Sequence, residues 1–94
     1  MKFEWDDKKA ERNTLKHGIS FKMTTFAFDD PYALIVEDEK HSAHERRQWL
    51  IGDSGENVLI IVFTMRLPGG NIRIISARRA NRRERRLYEE SKGI

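Results

Sequence analysis

"NVLIIVFTMRLPGGNIRIISAR", residues Asn57 to Arg78, decides the fold. Asn57 to Arg66 is apolar at nearly every position, as a central strand covered on both faces must be. "LPGG" breaks the run, with Pro68 and Gly69 suited to the middle of a tight turn. Asn71 to Arg78 then reads as a returning strand. The stretch predicts an antiparallel hairpin at the heart of a sheet.

Upstream, "RRQWLIG" (Arg46 to Gly52) reads as a strand joined to this hairpin through the turn "DSGE". "YALIVED" (Tyr32 to Asp38) reads as another. Before them, Asp6 or Asp7 can cap a helix that ends in "KHG". Lys16 and His17 suit its negative end, and Gly18 suits the left-handed position after it. Ser20 caps a second helix, Phe21 to Phe28, stopped by "DDP". Phe21, Thr25 and Phe28 share one face, which predicts that this helix covers the sheet. "FEW" is a short extended start. A last helix begins near Asn81, where Asn81 and Glu84 have capping-box spacing. Its apolar surface is only Ala80, Leu87 and Tyr88, which predicts weak anchoring. The order is α+β: two N-terminal helices, a four-stranded antiparallel sheet and a C-terminal helix, in a single domain over 1–94.

Composition narrows the function. At 94 residues there is room for one small core. There is no cysteine, which excludes a disulfide framework, a thiol nucleophile and a cysteine zinc site, and fits a reducing cytoplasm. No run approaches the length of a membrane span, and "MKFEWDDKK" lacks an apolar signal core, so a soluble cytoplasmic protein without membrane contact is expected. The net charge of +3 is unevenly spread. Nine Lys/Arg stand against three Glu from Arg66 onward, a net of +6. Nine stand against twelve Asp/Glu before it, a net of −3. A basic third on an acidic body suits RNA, DNA or an acidic protein as partner. It equally suits a charged, solvated helix.

Counting back from the two turns places side chains. In the first hairpin Gly52 faces Asn57, Trp49 faces Ile60, Arg47 faces Val62, and Glu45 approaches Thr64. In the second, Arg66 faces Asn71, Thr64 faces Arg73, and Val62 faces Ile75. Opposite residues share a face, as do residues two apart. One face therefore gathers Glu45, Arg47, Thr64, Arg66 and Arg73 at one end, with Trp49, Ile51, Val58, Ile60 and Ile75 at the other. The opposite face carries Leu50, Leu59, Ile61, Phe63, Met65, Ile72 and Ile74 as a core. The charged cluster has two readings. It fastens strand ends by ion pairs worth about 0–1 kcal/mol each, or its guanidinium forks hold phosphate. Its positive excess favours the second. By simple alternation Arg78 points to the core face unless a bulge brings it round.

"HSAHE" holds His41, His44 and Glu45, but matches neither zinc-hydrolase signature, and no third ligand is placed. No metal or other cofactor is expected. His41 can serve as a general acid or base; His44 reads as a surface residue, and His17 as a helix-end residue. There is no phosphate-binding Gly-rich loop, no pair of strand aromatics for stacking bases, and no helix-turn-helix.

"FEWDDKKAERNTLKHGISF", "DP" at Asp30 and Pro31, "HSAHERRQWLIG", "FTMR", "IRIISARRA" and "ERRLYEE" together resemble the BrnT toxin family, in order and over almost the whole chain. "FKMTTF" and His44 depart from that pattern. The resemblance implies a compact relative of the RelE ribonucleases, which cleave RNA and inhibit translation. It implies neutralisation by a BrnA-type antitoxin, with operator DNA bound only through that antitoxin. The family pattern falls on Glu45, Arg47, Thr64, Arg66, Arg73, Ser76 to Arg78, and Tyr88.

The expected chemistry is metal-independent. The ribose 2′-hydroxyl attacks the adjacent phosphate and the 5′-oxygen leaves, with the RNA free or on the ribosome. Arg47, Arg66 and Arg73 would stabilise the charge on the phosphate, and Glu45 or His41 would take the proton, Glu45 being placed by its position on the charged face. Arg78 and Tyr88 complete the candidate catalytic set. Thr64, Arg79, Arg82 and Arg83 are expected to contact RNA; Arg82, Arg85, Arg86 and Leu87 are expected to dock the antitoxin. The competing reading is a non-catalytic basic module that grips RNA or DNA, or serves only as the antitoxin's partner.

Overall fold

A computed structural model describes residues 2–41, 45–66 and 68–93. The decisive hairpin is present: β4 (Val58–Arg66) pairs antiparallel with β5 (Asn71–Arg79). Gly70 N–H donates to the Arg66 carbonyl at 2.7 Å, and Gly70 has φ 72°, a left-handed geometry that glycine adopts without a Cβ clash. Leu67, assigned to this turn from the sequence, lies outside the described residues. β3 (Gln48–Asp53) flanks β4, and β2 (Leu34–Glu37) flanks β3. β4 is central, as its two-sided apolarity requires.

Among the described residues the sheet has five strands, not four, and is mixed. β1 (Phe3–Glu4) runs parallel to the outer edge of β5, with Phe3 beside Ile72 and Glu4 beside Arg73. Two residues carry no periodicity, so "FEW" could signal extension but not a partner.

α1 (Asp7–His17) starts where Asp6 accepts from the Lys8 and Lys9 N–H groups. It ends at Gly18, φ 69°. α2 (Phe21–Ala27) starts at Ser20, whose hydroxyl accepts from Met23 N–H at 3.1 Å. α2 buries Phe21, Thr24 and Ala27; Thr25 only borders the covered face, so the helix is rotated slightly from the expected stripe. Both helices lie on the face of Leu50, Leu59, Ile61, Phe63, Ile72, Ile74 and Ala77, and close the main core. Phe28 wedges edge-on between Phe3 and Phe63, at 5.1 Å from each, contacts worth about 0.5–1.5 kcal/mol apiece. Met65, assigned to this core by alternation, is 46% exposed, because it lies at the strand end near the margin of the face.

Two register findings set the other face. In the first hairpin Asp53 pairs with Val58 and Trp49 with Val62, two residues along from the expected count. The turn is tighter: Ser54 N–H bonds the Asn57 carbonyl, leaving Gly55 and Glu56 at the tip. An even shift preserves faces, so the side-chain sets stand although the partners move. In the second hairpin Arg66–Asn71 and Thr64–Arg73 pair as expected. Then a bulge intervenes, and Val62 faces Ser76 instead of Ile75. Beyond it Arg78 stands opposite Ile60 and so shares its face.

α3 (Arg82–Ser91) covers that end of the sheet, over Ile51 and Ile60. Its Asn81–Glu84 capping box is complete. The expectation of weak anchoring is corrected. Tyr88 is 2% exposed, and its hydroxyl donates to Asp30 across the fold. Asp30 also accepts from the Asp53 N–H at 2.8 Å and the Tyr32 N–H at 2.9 Å. Arg78 grips Glu84 with both terminal nitrogens at 2.8 Å. One buried phenol and one two-pronged ion pair anchor a helix whose apolar surface is small.

These anchors make the helix acid-sensitive. Burial pushes the Asp30 carboxyl up, but hydrogen bonds from Tyr88, Asp53 and Tyr32, with Lys92 nearby, bring it below the ordinary carboxylate value. Burial and the same carboxylate push the Tyr88 phenol up. A carboxyl lowered by folding contributes stability that is present above its unfolded value and lost as pH falls through the folded one. Tyr88→Phe is therefore expected to cost about 1.5–3 kcal/mol at about pH 7. The gap to wild type should be narrower at about pH 3, below the ordinary aspartate value of about 3.9, as pH falls toward the lower folded value of Asp30. Urea unfolding at both pH values checks this.

Candidate nucleic-acid interface and active site

The register lays one row of side chains across the end of the sheet that no described helix covers. Asp38 N–H bonds the Arg47 carbonyl at 3.0 Å, which continues the β2–β3 pairing past the strand ends. The β3–β4 count carried on sets Arg47 beside Thr64. Thr64 pairs with Arg73, and Arg73 with Glu4. Asp38, Arg47, Thr64, Arg73 and Glu4 thus cross the sheet in order. The same counts set Glu45 beside Arg66 in the next row outward.

Each member has a distinct setting. Arg66 is exposed and forms no ion pair or hydrogen bond with a described side chain. It borders a hollow of about 480 Å³ lined also by Glu45, Arg46, Gln48, Thr64 and Met65. Thr64 is 3% exposed, and its hydroxyl donates to the Arg46 carbonyl at 2.6 Å, so it underlies the hollow and fastens the segment that carries Glu45 to Arg47. Glu45 Oε1 lies 3.7 Å from Arg47 Nε. Arg73 Nη1 donates to Glu4 Oε2 at 2.9 Å. Arg46 turns away to Glu37, held at 3.0 Å through Nε.

Glu45, Arg47, Thr64, Arg66 and Arg73 are therefore brought together. Arg78 and Tyr88 stand apart from them. The bulge does turn Arg78 to the site face, but there its guanidinium is spent on Glu84, which holds its charge firmly and lowers the Glu84 carboxyl. Tyr88 is the buried residue of α3, on the side that packs over Ile51 and Ile60. Arg79 Nη1 donates to the His17 carbonyl at 2.9 Å and so closes the end of α1. On α3, Arg82, Arg85 and Arg86 border a shallow groove with Glu89, Arg83 is exposed, and Leu87 is 48% exposed. His44 lies outside the described residues.

His41 closes a single 3₁₀ turn, Glu39–His41. Its ring Nδ1 lies 3.1 and 3.2 Å from the two Asp38 oxygens, and Trp49 Nε1 donates to Asp38 at 2.9 Å. Burial pushes the Asp38 carboxyl up, but the Trp49 and His41 hydrogen bonds bring it below its ordinary value. Asp38, Trp49 and Glu4 were not singled out from the sequence. The i, i+3 spacing of Asp38 and His41 was the one available signal; Glu4 became a neighbour only through β1.

No group of three or more His, Asp or Glu stands placed to hold a metal among the described residues. No described helix is long and apolar enough to cross a membrane.

A sheet face bearing three arginines, a carboxylate and an oriented imidazole carries the residue types that bind anions and move protons. The family described as the ribonuclease toxin, BrnT, of type II toxin–antitoxin systems matches residues 5–84. The chain belongs to this family of RNA-cleaving toxins, each paired with an antitoxin protein. The match includes every residue of the arginine face except Glu4, and ends before Tyr88. No curated protein sequence matches the chain.

Proposed function

We propose that the chain is a RelE-like, metal-independent endoribonuclease that acts in the cytoplasm as a single domain over 1–94 and inhibits translation. The observation that carries this reading is the convergence of Arg47, Arg66 and Arg73 around Thr64, on a face that no described helix covers there. Guanidinium groups stay charged at any working pH and match phosphate oxygens with two donors at once. In the proposed step the 2′-oxygen bonds to phosphorus and the bond to the 5′-oxygen breaks. A base, Glu45 or His41, takes the 2′-hydroxyl proton, and the 5′-oxygen acquires one from water. The products are a 2′,3′-cyclic phosphate and a 5′-hydroxyl. The arginines hold the charge that builds on the phosphate between these events.

The proposed protein partner is a BrnA-type antitoxin, through which alone operator DNA is bound. The α3 groove favours docking there. Arg82, Arg85 and Arg86 have no described ionic partner, beside an exposed Leu87, and suit a segment that is acidic with an apolar anchor. The same arginines, with Arg83, can steer RNA toward the sheet face, free or on the ribosome.

Purified protein incubated with naked RNA and EDTA tests the chemistry. Full cleavage, giving the cyclic phosphate, is the expected result. Restoration only by added zinc or magnesium would overturn the metal-free scheme. Binding without any product, with log K on duplex DNA falling by about 0.9 per neutralised phosphate for each tenfold rise in salt, would favour the non-catalytic alternative.

A further inference from the structure

We infer that Asp38 is a positioning residue that holds His41 as the proton acceptor for the RNA 2′-hydroxyl, with Trp49 fixing Asp38 in turn. This rests on RNA cleavage at the arginine face. Asp38 lies in the same cross-sheet row as Arg47, Thr64 and Arg73, so the imidazole it carries stands at the edge of that face. Its side chain is only 7% exposed, whereas that of His41 is 56% exposed. A buried carboxylate needs donors, and among the described residues they include the Trp49 indole N–H, the His41 backbone N–H at 3.3 Å and the His41 ring.

The donor inventory decides the tautomer. An ionised carboxylate only accepts, and an indole N–H only donates. Nδ1 of His41 must therefore carry its hydrogen toward Asp38. In the neutral ring Nε2 is then left with its lone pair, on the exposed side chain. This is the form a general base needs, and the second nitrogen's partner sets it. Glu39 and Lys40 share the turn, and Arg47 lies across from Asp38. Glu45 instead faces Arg47. The proton of the 2′-hydroxyl passes to Nε2 as the 2′-oxygen bonds to phosphorus, and the resulting imidazolium stays paired with the Asp38 carboxylate.

A clasp that only closed the 3₁₀ turn would place the same atoms together, so the test must read more than loss of activity. Cleavage of a short RNA is measured under single turnover for wild type, His41→Ala, Asp38→Asn and the double variant. His41→Ala is expected to slow cleavage by about 10²-fold or more. Asp38→Asn should slow it by about 10–100-fold. The double variant should be no slower than His41→Ala alone, because Asp38 acts through the imidazole. Additive losses would overturn the role of Asp38. Nitrogen-15 shifts of the ring, assigned by the signals lost in His41→Ala, should show the Nδ1–H tautomer in wild type and its loss in Asp38→Asn. An Nε2–H ring in wild type would also overturn it. Trp49→Phe, which removes the indole donor and keeps an aromatic ring, should reproduce part of both effects if Asp38→Asn does not fold. A wild type that cleaves no RNA sinks the cleavage reading and the acid–base role together; cleavage with an additive cycle sinks only the inference.

Discussion

Arg66→Ala is expected to slow RNA cleavage by about 10²–10³-fold, the usual cost of removing one donor aimed at transition-state charge. Growth arrest on induction should fade with it. The fold should be untouched, because Arg66 is exposed at the end of β4 and forms no ion pair with a described residue. Arg73→Ala should cost a similar factor, but its reading is less direct. Arg73 also holds Glu4 and with it the β1 edge. Glu4→Gln separates the two effects, since it breaks the ion pair and keeps the arginine. If Glu4→Gln remains toxic while Arg73→Ala does not, the guanidinium acts on RNA. If Arg66→Ala retains full cleavage with an unchanged melting curve, the arginine face is not the active site.

The largest expected loss of stability lies away from that face, at Asn13→Ala. Asn13 sits inside α1, 8% exposed, where asparagine is a poor helix former. Its amide nitrogen donates to the Ile19 carbonyl at 3.0 Å and to the Ala77 carbonyl at 2.8 Å, and its oxygen accepts from the Ala77 N–H at 3.1 Å. One side chain thus completes the backbone of the α1–α2 link and of β5 past the bulge. Alanine leaves these buried groups short of partners, at about 1–3 kcal/mol each. A total near 3 kcal/mol is expected after partial relaxation, a large share of the roughly 5–15 kcal/mol that holds such a domain together. Urea unfolding reads it directly, and a loss under about 1 kcal/mol would mean that water or the Thr14 hydroxyl replaces the amide.

Much of the fold could be read from residues because it depends on parity and punctuation. The even register shift in the first hairpin moved partners without moving faces, so the assembly of Glu45, Arg47, Thr64, Arg66 and Arg73 survived an error in counting. Asp6, Gly18, Ser20 and Asn81 mark helix ends through local hydrogen bonds, and local rules suffice for them. What could not be read is contact between distant segments. Glu4 reaches Arg73 across 69 positions, and Tyr88 reaches Asp30 across 58. Neither spacing leaves a trace in composition or periodicity. Asp38 was hidden differently: at the end of an apolar strand it reads as a turn residue, and only its burial beside Trp49 and His41 shows the contact between them.

The extra residue at Ile75 divides β5 into two halves of opposite phase. Before it, even-numbered side chains face the main core; after it, odd-numbered ones do. Loss of a single residue there would turn Arg78 into the core and Ala77 out of it, releasing Glu84 and α3 together. Substitutions along this segment trade one side chain for another and can be absorbed singly. A change of length by one cannot, because it exchanges inside for outside at every position beyond it. The segment can therefore drift in spelling while its letter count stays locked.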